Sequence, residues 1–95
     1  MTPGESGPVA RRLEDKLRAA FAPLRLAIVD ESARHRGHAG ARPEGETHFR
    51  VVMVSAIFRG KSRLERQRLV HAALAEELRQ RVHALSLELR APEET

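Results

Sequence analysis

Ninety-five residues, 41% of them apolar and 32% charged, suffice for one small folded domain and exclude a second. With no cysteine, disulfides and thiolate metal sites are excluded, and with three Phe but no Trp or Tyr an aromatic platform for stacking single-stranded bases is nearly absent. A net charge of +4 favours weak contact with polyanions but is not by itself a nucleic-acid signature.

The opening MTPGESGPVA lacks a basic segment followed by an apolar one, and no apolar run reaches the ~18 residues needed to cross a bilayer. The expected compartment is the cytoplasm. Residues 1–8 read as a loose lead-in, 9–90 as one domain and 91–95 as a frayed acidic tail.

Gly7 or Ser6 caps the first helix, with Pro8 in its first turn, where the missing N–H costs nothing. Val9, Leu13, Leu17 and Phe21 recur every four residues, an apolar stripe at helical spacing, and Pro23 stops the helix. Leu24 to Asp30 alternates, with Leu24, Leu26 and Ile28 on the buried side of a strand. Glu31 to Glu46 reads as a long loop punctuated by Gly37, Gly40, Pro43 and Gly45 and carrying His35 and His38.

His48 to Ser55 reads as a second strand, apolar on both faces from Val51 to Val54 and therefore central. A turn with Gly60 at its tip follows. Ser62 and Glu65 form a capping box that starts a second helix ending near Arg81, with Leu69, Val70, Ala73, Leu74 and Leu78 as its buried stripe. Val82 to Arg90 alternates as a third strand.

The order α-β-β-α-β predicts an α+β fold: a three-stranded mixed sheet with the helices packed on one face. A loop joins the first two strands, which favours an antiparallel pair; a helix joins the last two, which requires a parallel pair. The strand ends then sort themselves. The loop with His35 and His38, the start of the second strand with His48, and the start of the third with His83 gather at one end. The basic turn lies at the other.

At that basic end Arg59, Lys61, Arg63, Arg66 and Arg68 bracket the helix start, with Glu65 the one acid among them. Such a group is either a solvated cap or a phosphate contact, since basic side chains and N–H groups at a helix start attract anions. No nucleophile–base–orienter set, zinc spacing or glycine-rich nucleotide loop occurs, so an enzyme is not expected. Glu76 and Glu77 point about 100° apart on a helix and share no cleft.

Several segments together resemble one known family. They are Asp30-Glu31-Ser32, Gly45-Glu46-Thr47-His48-Phe49-Arg50-Val51, Phe58-Arg59-Gly60-Lys61-Ser62, Glu65-Arg66-Gln67-Arg68-Leu69-Val70, Ala75-Glu76-Glu77-Leu78 and Val82-His83-Ala84-Leu85. In order and spacing, from about Leu13 to Leu89, the chain resembles the BolA family. The resemblance implies a class II KH-like fold. It also implies partnership with a monothiol glutaredoxin through a shared, glutathione-supported 2Fe–2S cluster, or regulation of transcription through DNA.

By the same resemblance, His83 is a metal ligand and a loop histidine is a second: His38, flanked by Gly37 and Gly40, or His35. Two imidazoles can replace two thiolates on one iron of a 2Fe–2S centre, and a chain without cysteine needs a partner to supply the sulfur. His48 is expected to be structural or to assist as a donor behind the ligands, and His71 has no role. KH domains grip nucleic acid with a GXXG loop, whereas the corresponding turn here offers only Gly60, so DNA contact would be mainly electrostatic. Weak homodimerisation through the open face of the sheet is a further expectation.

Overall fold

The structure is a computed structural model describing residues 7–32 and 47–95. His35 and His38 lie outside the described residues. Helix α1 spans Pro8–Phe21 and strand β1 Arg25–Asp30; β2 spans His48–Val54 and leads through a 3-10 turn, Ala56–Phe58, to α2, Arg63–Ala73. A short α3, Ala75–Gln80, strand β3, Ala84–Arg90, and a last 3-10 turn, Pro92–Glu94, complete the chain.

The sheet order is β1-β2-β3, with β1 antiparallel and β3 parallel to the central β2, as the connections require. Register places Ile28, Val51 and Leu87 side by side, and likewise Leu26, Met53 and Leu89. These odd positions of β2 and β3 and even positions of β1 face the helices. There they pack with Leu13, Leu17 and Phe21 of α1, Val70 of α2, and Phe58, Leu74 and Val82. The rings of Phe21 and Phe58 meet at 5.3 Å, tilted by 36°. Ala27, Val29, Val52 and Arg50 lie on the opposite face.

Pro8 and Gly7 take the expected places at the start of α1. At its far end Ala22 adopts a left-handed conformation (φ 43°), and its N–H donates to the Arg18 carbonyl. The capping box of α2 is present: Ser62 Oγ accepts from the Glu65 N–H at 3.1 Å, and the Ser62 N–H donates to Glu65 Oε1 at 2.7 Å. Those bonds to Ser62 hold the Glu65 carboxyl below its ordinary range.

The second helix differs from the expected one. It breaks at Leu74 into α2 and α3, and its inward line runs Arg66, Val70, Leu74, Glu77, while Leu69 is exposed. A spacing of four, four and three keeps one face turned inward, and that face begins and ends with charged residues that have partners. Glu77, 1% exposed, takes Lys16 at 2.8 Å and Arg12 at 3.4 Å from α1. Burial pushes its carboxyl up, but the bonds from Lys16 and the others outweigh it, and the net shift is down.

Leu24 was expected on the buried side of β1 and is exposed instead, beyond the cover of the helices. The C-terminal residues, expected to fray, form an ordered turn in which Glu94 accepts from Arg66 and from the Ala91 N–H. Among the described residues no helix is long and apolar enough to cross a membrane.

Candidate functional site

The end of β1, the start of β2 and the start of β3 coincide, because Asp30 pairs with Phe49 and His48 with Ala84. His83 is held against this corner just before β3 begins: its N–H donates to the Thr47 carbonyl at 2.7 Å. Its side chain is exposed, and its ring lies 6.1 Å from that of His48, centroid to centroid, at an edge-on 64°. Two histidines 35 positions apart in sequence therefore stand together.

His48 is oriented from beneath by two buried hydroxyls. Ser32 Oγ accepts from the N–H groups of Thr47 (2.9 Å) and His48 (3.2 Å), which occupies both its lone pairs. Its hydroxyl lies 3.4 Å from Thr47 Oγ1, and Thr47 Oγ1 shares a hydrogen bond with His48 Nδ1 at 2.8 Å. The hydroxyl pair thus holds His48 Nδ1 and fixes the plane of the ring, whichever of the two groups carries the shared proton. His48 thereby has Nδ1 engaged by Thr47 beneath the corner, next to His83.

The Ser32 and Thr47 cradle was not singled out from the sequence. Its one local signal is Asp30, whose carboxylate accepts the Ser32 N–H two residues on at 2.9 Å, an Asx turn that ends β1 and aims Ser32 inward.

The donor set can be tested against a 2Fe–2S cluster. An exposed imidazole offers a lone pair suited to iron, so His83 fits as one ligand. Among the described residues no three metal-ligating side chains lie together, and the chain has no cysteine, so the rest of a ligand set must come from beyond them. His83 is compatible with a cluster shared between molecules and not with one held by these residues alone.

The basic group lies at the opposite end of β2, about 20 Å along the strand. Its five residues do not act alike. Arg66 is drawn under the fold: its side chain is 11% exposed, and it donates to Glu94 at 2.6 and 2.9 Å, to the Lys61 carbonyl at 3.0 Å and to the Leu89 carbonyl at 3.2 Å. The guanidinium also lies over the Phe58 ring, 5.9 Å from its centroid. Arg59 pairs with Glu93 at 2.9 Å, which holds that carboxyl low.

Lys61, Arg63 and Arg68 make no ion pair among the described residues, but Arg63 and Arg68 point about 140° apart around the helix. A continuous positive surface among these five is therefore limited to Lys61 and Arg63, with Arg59 shared with Glu93. Gly60 has φ 72°, so glycine answers a backbone need in the turn that the Lys61 N–H closes onto the Phe58 carbonyl at 3.2 Å.

A family model described as "BolA-like protein" matches residues 17–94. The chain is 51% identical over 79 residues to the DNA-binding transcriptional regulator BolA of Escherichia coli, covering 83% of this chain and 71% of that protein. It is 51% identical over 89 residues to human BolA-like protein 1, covering 94% of this chain but 62% of the relative's length. Among solved structures, the BolA domain of SufE1 from Arabidopsis thaliana superimposes with a TM-score of 0.86 at 38% identity, over 95% of this chain and 99% of that one. The relatives' names are those of regulators or BolA-like proteins rather than of reactions. By the family match and by these relatives, the chain belongs to the BolA family.

Proposed function

We propose that the protein is an adaptor that binds a monothiol glutaredoxin and contributes imidazole to a 2Fe–2S cluster bridging the two, in iron–sulfur trafficking or iron sensing. The observation that carries this reading is the exposed His83 ring beside a His48 ring fixed by the Ser32 and Thr47 hydroxyls. His83, with His38 or His35 from the loop, would hold one iron, and the glutaredoxin side, with glutathione, would supply the sulfur ligands. When bound, the cluster supplies iron that can be passed on or sensed. His48, its Nδ1 held by Thr47, would support such a site from behind the ligands as a fixed ring packed edge-on against His83.

The test is assembly. Co-expression with a monothiol glutaredoxin and glutathione should give a coloured heterodimer whose chemical-shift changes centre on Thr47, His48 and His83. Changes confined to the Lys61 and Arg63 end would contradict the reading.

A second reading, regulation through DNA, is favoured by the name of the E. coli relative and by Lys61 and Arg63 at the start of α2, which have no ion pair among the described residues. It uses the other end of the sheet and does not compete with the first for residues.

A further inference from the structure

Strand β3 is an edge strand, and no strand among the described residues pairs with its outer side. Hydrogen bonds at its two ends show which backbone groups face which way. The Ala84 N–H donates to the Thr47 carbonyl and the Arg90 carbonyl accepts from the Ser55 N–H, so the even residues of β3 address β2. In a parallel ladder both groups of a residue point the same way, so Leu85, Leu87 and Leu89 present theirs outward. Arg66 already takes the Leu89 carbonyl. Both outward groups of Leu85 and Leu87, and the Leu89 N–H, remain along about 13 Å of edge.

This edge opens into a groove of about 410 Å³ between β3 and the start of α2, floored by Leu87 and Leu89 and walled by Lys61, Arg63 and Gln67. The acids at its rim are already paired, Glu94 with Arg66 and Glu88 with Arg50 and Arg90, whereas Lys61 and Arg63 have no ion pair among the described residues. The groove therefore combines unpaired strand groups, a partly apolar floor and a positive wall.

We propose that the β3 edge is a docking site for an extended, carboxylate-bearing segment of a partner protein, which joins the sheet as a fourth strand. Main-chain bonds to Leu85, Leu87 and Leu89 set its register, and alternate acidic side chains reach Lys61 and Arg63. A single file of alternating N–H and C=O groups matches the repeat of a peptide backbone, and the wall cations that have no ion pair among the described residues suit carboxylate side chains at alternate positions. The inference uses neither His48 nor His83 and stands apart from the cluster reading.

The experiment is a titration of the ¹⁵N-labelled full chain with an acetylated seven-residue peptide alternating valine and glutamate. The expected result is shifts at the amides of residues 85–89 and slowed exchange of the Leu87 N–H. Binding should disappear when every second peptide nitrogen is methylated in one of the two registers but not in the other. The double variant Lys61→Glu/Arg63→Glu should bind about tenfold more weakly, while the methylated peptides test the edge on the unaltered protein. Absence of shifts at 85–89, equal binding of both methylated forms or of a valine–lysine peptide, or the same amides moving with duplex DNA would overturn the proposal.

Discussion

Arg66 and Glu94 close a two-pronged ion pair, Nη1–Oε1 at 2.6 Å and Nη2–Oε2 at 2.9 Å, joining the first turn of α2 to the last turn of the chain. Because Arg66 also bonds the Leu89 carbonyl and covers Phe58, this pair fixes the α2 start against the end of β3.

The Arg66 guanidinium, helped by the Ala91 N–H, lowers the Glu94 carboxyl from an ordinary 4.5 to about 2. A carboxyl depressed by folding stabilises fully above its unfolded value, and that contribution drains away as pH falls towards the folded one. Glu94→Gln should therefore melt at a lower temperature than wild type at pH 6, with the difference shrinking between about pH 4.5 and 2. Thermal melts across that range check it; a difference independent of pH would count against the pair.

Ala22 occupies a left-handed conformation that costs a side chain about 1 kcal/mol or more. Ala22→Gly should thus stabilise the protein by about 0.5–1 kcal/mol despite the greater freedom of glycine in the unfolded chain. Denaturant midpoints at constant slope report this directly, and a loss of stability would show that the αL geometry is not strained.

The strand order and the convergence of His48 with His83 were legible in the sequence because connection type dictates strand direction, and direction dictates which ends meet. The inward line of α2 was not. Apolar spacing marks Leu69 as buried, but the helix turns Arg66 and Glu77 inward, each satisfied by residues distant in sequence. The acids at 93 and 94 read as a frayed tail for the same reason: their cationic partners lie 34 and 28 positions away. The Arg-rich stretch read as one patch therefore divides into members that are paired and members without an ion pair among the described residues.

Ser32→Ala should leave the buried Thr47 N–H and the part-buried His48 N–H without their acceptor and cost about 1–3 kcal/mol. Thr47→Val tests orientation instead. It removes the hydroxyl bonded to His48 Nδ1, so imidazole ¹⁵N shifts should report a changed balance of tautomers. Unchanged shifts would mean that the hydroxyl chain does not set the ring.

If DNA is bound at the basic end, two or three phosphate contacts are the most that Lys61, Arg63 and the shared Arg59 allow. Affinity should then fall with salt at a log–log slope of about −2 to −3, and Lys61→Glu with Arg63→Glu should abolish it. A steeper slope, or indifference to both substitutions, would place the contact elsewhere.

The most direct measurement compares the visible circular dichroism and chelator-release rate of the glutaredoxin-bridged cluster made with wild type and with His83→Ala. The account predicts an altered spectrum and faster iron loss for His83→Ala, with the heterodimer itself still formed. An identical spectrum and an identical release rate would remove His83 from the iron and contradict it.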